Sequence, residues 1–232
     1  MGYYDNCRPD QRFSSGGRTL GDTDGIVCIV RDWDERRTIS VETSKQGLDD
    51  DDNDFFFDAL AKHINSLPAD TVTIDVSPDG ELLSTSSTVS DDRTEVPTYF
   101  SRSNYLQEMP TIRRPDLTEL ERLGVQTDLV TYQAGHDRRL VVFKYYLAPR
   151  NFGVVWHEAH CLFRIPAHPH IVSFDSIVVD SVDGGDDKVV GFATKFIPGG
   201  TVLDNVGRVF KLKYFKQLLE VSSFAILLAK SS

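Results

Sequence analysis

The chain has 232 residues, 40% of them hydrophobic and 26% charged, which is typical of a globular protein and excludes a disordered or fibrous one. Its net charge of −10 argues against nucleic-acid binding, which needs a basic surface. The sequence has no run of 18 apolar residues, so it predicts no membrane-spanning helix. The three cysteines are widely spaced and the first residues are polar, so we expect an intracellular protein of the cytoplasm or nucleus.

The front half of the chain carries the acidic charge. Residues 1–110 hold 22 acidic and 10 basic side chains, a net charge of −12, whereas residues 111–232 have a net charge of +2. Residues 1–24 are rich in Gly, Ser, Asp and Arg, and we expect a flexible tail there. The acidic run Asp49–Asp52 lacks the central glycine and closing glutamate of an EF-hand, so it predicts a solvated loop.

Residues 25–84 are predicted to form a small α+β module whose role the sequence does not reveal. Its helix shows apolar residues at three- and four-residue spacing, with Asp54 available as the N-cap. Its strands are runs rich in β-branched residues. The predicted order is strand 26–30, strand 38–42, helix 55–68, strand 71–76 and a turn at 77–80.

A second module is predicted to follow a linker and lead-in at residues 85–116, whose first part is rich in Ser, Thr and Asp.

The next segment places one cation on a strand and one anion on a helix. Arg139–Tyr146 is a strand signal that carries Lys144. Fourteen residues on, Glu158 lies in a stretch where Trp156, Ala159 and Phe163 recur at helical spacing. Taken singly, each charge is equally consistent with an ordinary surface residue.

The elements after this helix are two strands and a further helix. The HPHIV run at 168–172 ends the first helix, and the strands are predicted at 174–180 and 188–197. Pro198–Gly200 breaks the second strand, after which residues 211–230 are predicted to be helical.

In this order and at these distances, the residues resemble the amino-terminal lobe of a eukaryotic protein kinase-like domain, most closely that of fungal kinase-like proteins. The resemblance covers residues 117–221, including the hinge and the start of helix E, and implies an α+β fold with an antiparallel sheet and helix C. In that family a strand lysine binds the ATP phosphates and pairs with a helix C glutamate. Lys144 and Glu158 match those two residues.

The resemblance also implies further ATP-binding positions. The first two strands of the family match residues 121–126 and 129–133, with the phosphate-binding turn at 124–128 and a hairpin turn at 134–138. Gly124 matches the first glycine of that turn and Val130 the valine that covers adenine, while Asp128 would place a negative charge beside the phosphates. The implied gatekeeper and hinge residues are Thr194, Lys195, Phe196 and Ile197.

The chain contains neither an HRD-like catalytic loop nor a DFG motif, so it holds no catalytic residue of the family and Mg²⁺ is expected only where a carboxyl-terminal lobe is present. Residues 222–232 depart from the family pattern, and we expect a truncated kinase that is inactive by itself. The implied function is ATP binding and Ser/Thr protein phosphorylation with an unidentified protein substrate. The alternative is a catalytically dead kinase-like module that binds another protein.

A zinc-protease reading of His157–His160 is excluded by spacing. The HEAH run puts its two histidines three residues apart, whereas HExxH requires four. With Cys161, His168 and His170 nearby, these residues are predicted to be packed or solvated, and no metal site is expected.

Overall fold

The structure, a computed structural model, describes residues 12–20, 25–45, 47–48, 53–88, 100–101, 108–124, 126–145, 152–181, 187–199 and 211–231. These residues contain twelve strands and three α-helices in two β-sheets. The chain divides into two compact units, of which the first holds the first sheet and the second holds most of the second sheet. The chain is therefore an α+β protein, as predicted. The acidic run at 49–52, residues 89–99 of the predicted linker and Gly200 lie outside the described residues.

The first unit is a five-stranded sheet with one helix, and its strands follow chain order across the sheet. Helix α1 connects β3 to β4, which lie side by side and parallel, whereas the other neighbouring pairs are antiparallel. Parallel neighbours need such a crossover connection, because a short turn can join only antiparallel strands. The elements are β1 (Phe13–Leu20), β2 (Ile26–Asp32), β3 (Arg37–Thr43), α1 (Asp54–His63), β4 (Thr73–Val76) and β5 (Leu82–Ser86).

The core of this unit lies between α1 and one face of the sheet. Alternate residues of a strand point to the same face, so Cys28 and Val30 on β2 share a face with Ile39 and Val41 on β3. Phe56 and other apolar residues of α1 cover that face. Each large side chain buried there contributes about 1.5–3 kcal/mol. The predicted periodicity of the strands and helix is thereby confirmed.

Two predictions for the first unit are wrong. Residues 13–20 form strand β1, not part of a flexible tail, because their backbone pairs along the whole edge of β2. The N-cap of α1 is Asn53, and Asp54 is the first helical residue. The Asn53 side chain makes no capping bond, since its oxygen accepts from Arg18 Nε at 3.0 Å.

The second unit is built on a seven-stranded sheet with the order β7-β11-β12-β10-β9-β8, and β6 also pairs with β12. The strand that carries Lys144, β10, therefore lies between β9 and β12. The elements are β6 (Phe100–Ser101), β7 (Thr111–Arg113), β8 (Thr118–Gly124), β9 (Thr127–Ala134), β10 (Asp137–Tyr145), α2 (Phe152–Arg164), β11 (Phe174–Ser181), β12 (Asp187–Lys195) and α3 (Leu212–Ser231).

Part of the predicted lead-in belongs to this sheet. Residues 111–113 form β7, which pairs in parallel with residues 177–179 of β11. Three residues of mixed character carry no strand periodicity, so only their pairing identifies them as a strand. The predicted linker at 85–116 is shortened at its other end too, because β5 extends to Ser86.

Helix α3 runs without a break across residue 221, where the sequence predicted a change to an atypical ending. Its Phe224 ring lies 4.8 Å from the His168 ring, and Glu220 Oε2 lies 3.0 Å from His170 Nε2. Four large apolar side chains of α3 are more than half exposed, namely Leu212, Phe215, Leu218 and Leu219. Even so, no helix in the described part of the chain is long and apolar enough to cross a membrane.

Candidate functional site

The structure brings Lys144 and Glu158 into direct contact. Lys144 Nζ donates to Glu158 Oε1 at 2.6 Å, which joins an inner strand of the sheet, β10, to helix α2. The two side chains remain 35% and 42% exposed. The ammonium group can therefore reach an anion from solvent while Glu158 holds its position.

Helix α2 is fixed in place by its apolar face. Ala159 is 1% exposed, and Trp156 and Phe163 pack against a cluster that includes Ile177 and Val179 of β11. Glu158 neighbours Ala159 on the helix, at the edge of this packed face. The orientation of the carboxylate thus follows from the packing of the helix and not from the ion pair alone.

Two residues of β12 support the Lys144 position, and the sequence analysis did not identify either. The Phe192 ring centroid lies 5.8 Å from Lys144 Nζ, within the range of a cation–π interaction. Gly191 lies against the β10 backbone, where an added Cβ would be 2.1 Å from the Lys144 carbonyl oxygen. A glycine inside an otherwise β-branched strand signals such a close backbone approach, so this one could have been found.

The two predicted residues of the phosphate loop and adenine cover lie on β8 and β9. Gly124 ends β8, and a Cβ added to it would meet no atom within 4 Å. Val130 is completely buried within β9. Asp128 was predicted to lie in the turn, but β9 begins at Thr127, so Asp128 belongs to this strand. Its side chain is only 4% exposed.

The predicted gatekeeper and hinge residues lie at the end of β12. Thr194 is 5% exposed within the strand, and Lys195 is its last residue. The Lys195 N–H donates to the Ser173 carbonyl at 3.0 Å, so that donor is already used. Phe196 is half-buried, and Lys195 and Ile197 are exposed, Ile197 to 62%. Because the Lys195 N–H is already bonded, the backbone donors of Phe196 and Ile197 are the ones that a ligand could use at the predicted hinge.

A separate pocket of about 240 Å³ lies between the end of α2 and the start of β11. Most of its lining residues are apolar, but its exposed surface is nearly half polar, and none of the predicted ATP-binding residues contributes to it. The lining includes Phe163, Ile165, Pro166, His168 and Ile171. This pocket is therefore distinct from the surface around Lys144 and Glu158.

The histidines and cysteine of α2 do not gather three metal ligands. Among the described residues, no group of three or more His, Cys, Asp or Glu side chains could hold a metal ion. His157 Nε2 does lie 3.5 Å from Cys161 Sγ, one helical turn apart. The pKa of His160 is lowered by partial burial and by the nearby charges of Arg164 and His157.

A scan against protein-family models finds no match to this chain, and no curated protein matches it significantly.

Proposed function

We propose that residues 117–221 form the ATP-binding small lobe of a protein kinase-like domain, in which Lys144 binds the nucleotide phosphates and Glu158 holds Lys144. The contact of 2.6 Å between Lys144 Nζ and Glu158 Oε1 carries this proposal. Both the pairing of strand lysine with helix glutamate and the position of β10 inside the sheet agree with that role.

The energetics favour a functional role for the ion pair over a stabilising one. Both side chains are more than a third exposed, and pairs of this kind contribute about 0–1 kcal/mol to stability. A lysine held in one orientation by a carboxylate loses less rotamer freedom when it binds phosphate. The pair is therefore better suited to binding an anion than to holding the fold together.

Nucleotide binding and phosphate transfer are separate steps in this proposal. The small lobe supplies Lys144, its partner Glu158 and the accessible hinge residues Phe196 and Ile197. The aspartates that orient the substrate hydroxyl and hold Mg²⁺ in the family are not among the residues of this chain. We expect the chain by itself to bind nucleotide without transferring phosphate.

The test is a thermal-shift titration of the full chain with ATP, in the presence and absence of Mg²⁺. A ligand that binds only the folded state stabilises it by about 2.7 kcal/mol at a hundredfold excess over Kd. Wild type should melt at a higher temperature with nucleotide, and Lys144→Met should abolish the rise. Glu158→Gln should reduce it, because Lys144 is no longer anchored.

Lys62→Met is the matched control, since Lys62 belongs to the first unit and is half exposed. It should keep the full shift. Equal shifts in wild type and Lys144→Met would disprove the assignment of Lys144.

A protein-binding module is the second candidate function, and the four exposed apolar side chains of α3 favour it. Exposed apolar patches mark interaction surfaces in many proteins. Cooperative unfolding with no nucleotide shift in wild type would favour this function over ATP binding.

A further inference from the structure

The two sides of helix α3 differ in what they contact. Four side chains at three- and four-residue spacing share one face of the helix and are half-buried, namely Tyr214, Gln217, Val221 and Phe224. The Phe224 ring lies 4.8 Å from the His168 ring of the same unit. This face therefore anchors the helix, and the opposite face is turned to solvent.

The solvent-facing side of α3 carries an apolar seam. Leu212, Phe215 and Leu219 are separated by three and then four residues, which is the spacing of the a and d positions of a coiled coil. Leu218 lies beside this line, and the four side chains are 51% to 69% exposed. Because the side-chain ridges of helices recur at the same spacing, a second helix fits this seam.

Lysine side chains border the seam. Lys211 precedes Leu212 and Lys216 follows Phe215, so these lysines take the g and e positions, and both are exposed. Glu220 is the only acidic residue in the sequence of α3, and its Oε2 lies 3.0 Å from His170 Nε2. The positions that flank the seam are therefore basic.

These charges determine which helix fits. In a parallel pair of identical helices, the g position of one faces the e position of the other, so Lys211 would meet Lys216 of a second copy. The e and g positions of α3 contain no acidic residue that an antiparallel copy could offer. A helix with Asp or Glu at its flanking positions would instead pair with both lysines.

We propose that the exposed seam of α3 binds an amphipathic helix of a partner protein, with apolar residues at its a and d positions and acidic residues beside them. The apolar contacts supply affinity, and the lysines select among partners. The proposal names the partner class of the second candidate function, on which it rests. It does not depend on nucleotide binding, because it uses neither Lys144 nor Glu158.

An anionic membrane is the other surface to which basic amphipathic helices bind. The regular alternation of three and four residues favours a helix, since a bilayer needs apolar residues on one side but no fixed spacing. The experiments below include the membrane as a competing outcome.

The first experiment measures binding of the full chain to two designed peptides by fluorescence anisotropy. The acidic probe has three heptads with Leu at a and d and Glu at e and g, and the basic probe differs only in having Lys at e and g. Wild type should bind the acidic probe at least tenfold more tightly, because Lys211 and Lys216 attract one probe and repel the other. The ratio should fall as the salt concentration is raised.

Variants of α3 assign the binding to the seam. Phe215→Ala and Leu219→Ala should each weaken binding of the acidic probe at least tenfold, while Lys216→Glu should weaken the acidic probe and strengthen the basic one. Their melting temperatures should match wild type, since the replaced side chains are exposed and alanine and glutamate favour helix. Leu83→Ala is the matched control, because Leu83 is 68% exposed and belongs to the first unit. It should bind as wild type does.

Four results would overturn the proposal. Equal affinities for the two probes, both lost in Phe215→Ala, would keep the protein-binding function but reject the acidic partner. No binding of either probe at millimolar concentration would reject both, whereas the nucleotide titration tests ATP binding separately. Dimers in sedimentation velocity that Phe215→Ala abolishes would show that a second copy covers the seam. Pelleting with phosphatidylserine vesicles that the same variant abolishes would assign the seam to a membrane.

Discussion

The substitution Gly191→Ala should destabilise the second unit. Among the described glycines of its sheet, Gly191 is the one at which an added methyl group should cost the most stability. The added Cβ would lie 2.1 Å from the Lys144 carbonyl oxygen and 2.7 Å from a ring carbon of Phe143. The first of these is a backbone atom of the neighbouring strand, which can move only if the strand moves. The clash therefore spreads along β10 and β12.

The expected loss of stability depends on which atom the added methyl group meets. Overpacking a core costs about 1–3 kcal/mol, and a clash with backbone belongs at the upper end, so we expect about 3 kcal/mol. Gly124→Ala is the matched control, because its Cβ would meet no atom within 4 Å and its backbone does not require glycine. That variant should be neutral or more stable by about 0.4–1 kcal/mol, since alanine restricts the unfolded chain.

The assay is urea unfolding followed by tryptophan fluorescence in a Trp33→Phe background. The sequence has two tryptophans, so Trp156 on α2 then reports the second unit alone. Gly191→Ala should lower the free energy of unfolding by the stated amount and also weaken the nucleotide shift, because Lys144 is displaced with its strand. A loss of less than about 0.5 kcal/mol would refute the tight β10–β12 contact, since surface substitutions already cause changes of that size.

The remaining predictions concern a buried carboxylate and a partly buried histidine. Asp32 is completely buried and accepts two bonds from Arg12, at 2.9 and 3.0 Å, so Asp32→Ala should destabilise the first unit by about 3–5 kcal/mol. Trp33 fluorescence in a Trp156→Phe background measures this loss, and the exposed Asp58→Ala should stay within about 0.5 kcal/mol of its parent. The pKa of His160 is lowered in the folded state, so His160 takes up a proton more readily in the unfolded chain as the pH falls through 6.5. The free energy of unfolding should therefore decrease at acidic pH. His160→Gln should reduce the loss between pH 8 and pH 5.5 in urea titrations, and an unchanged pH dependence would contradict the lowered pKa.

Strands and helices with a clear period could be predicted from the sequence by itself. The β-branched runs of β2, β3, β10 and β11, and the helical spacing of α1, α2 and α3, agree with the structure to within a few residues. These segments are predictable because their own side chains carry the pattern that the core requires. The Lys144–Glu158 pairing was implied by the family resemblance, and the structure places the two residues in contact.

Contacts between distant segments were decided only by the tertiary structure. Strand β1 is rich in Ser and Gly and has no apolar alternation, so its pairing with β2 alone makes it a strand. The Asn53 side chain makes no capping bond because Arg18, thirty-five residues away, donates to its oxygen. The glycine at position 191 signals a close backbone approach, but only the pairing of the strands shows that the approaching backbone is that of β10. Local periodicity thus determined where most strands and helices lie. Contacts between distant segments determined strand β1 at the edge of the first sheet, the bonding of the Asn53 side chain at the start of α1 and the packing around Lys144.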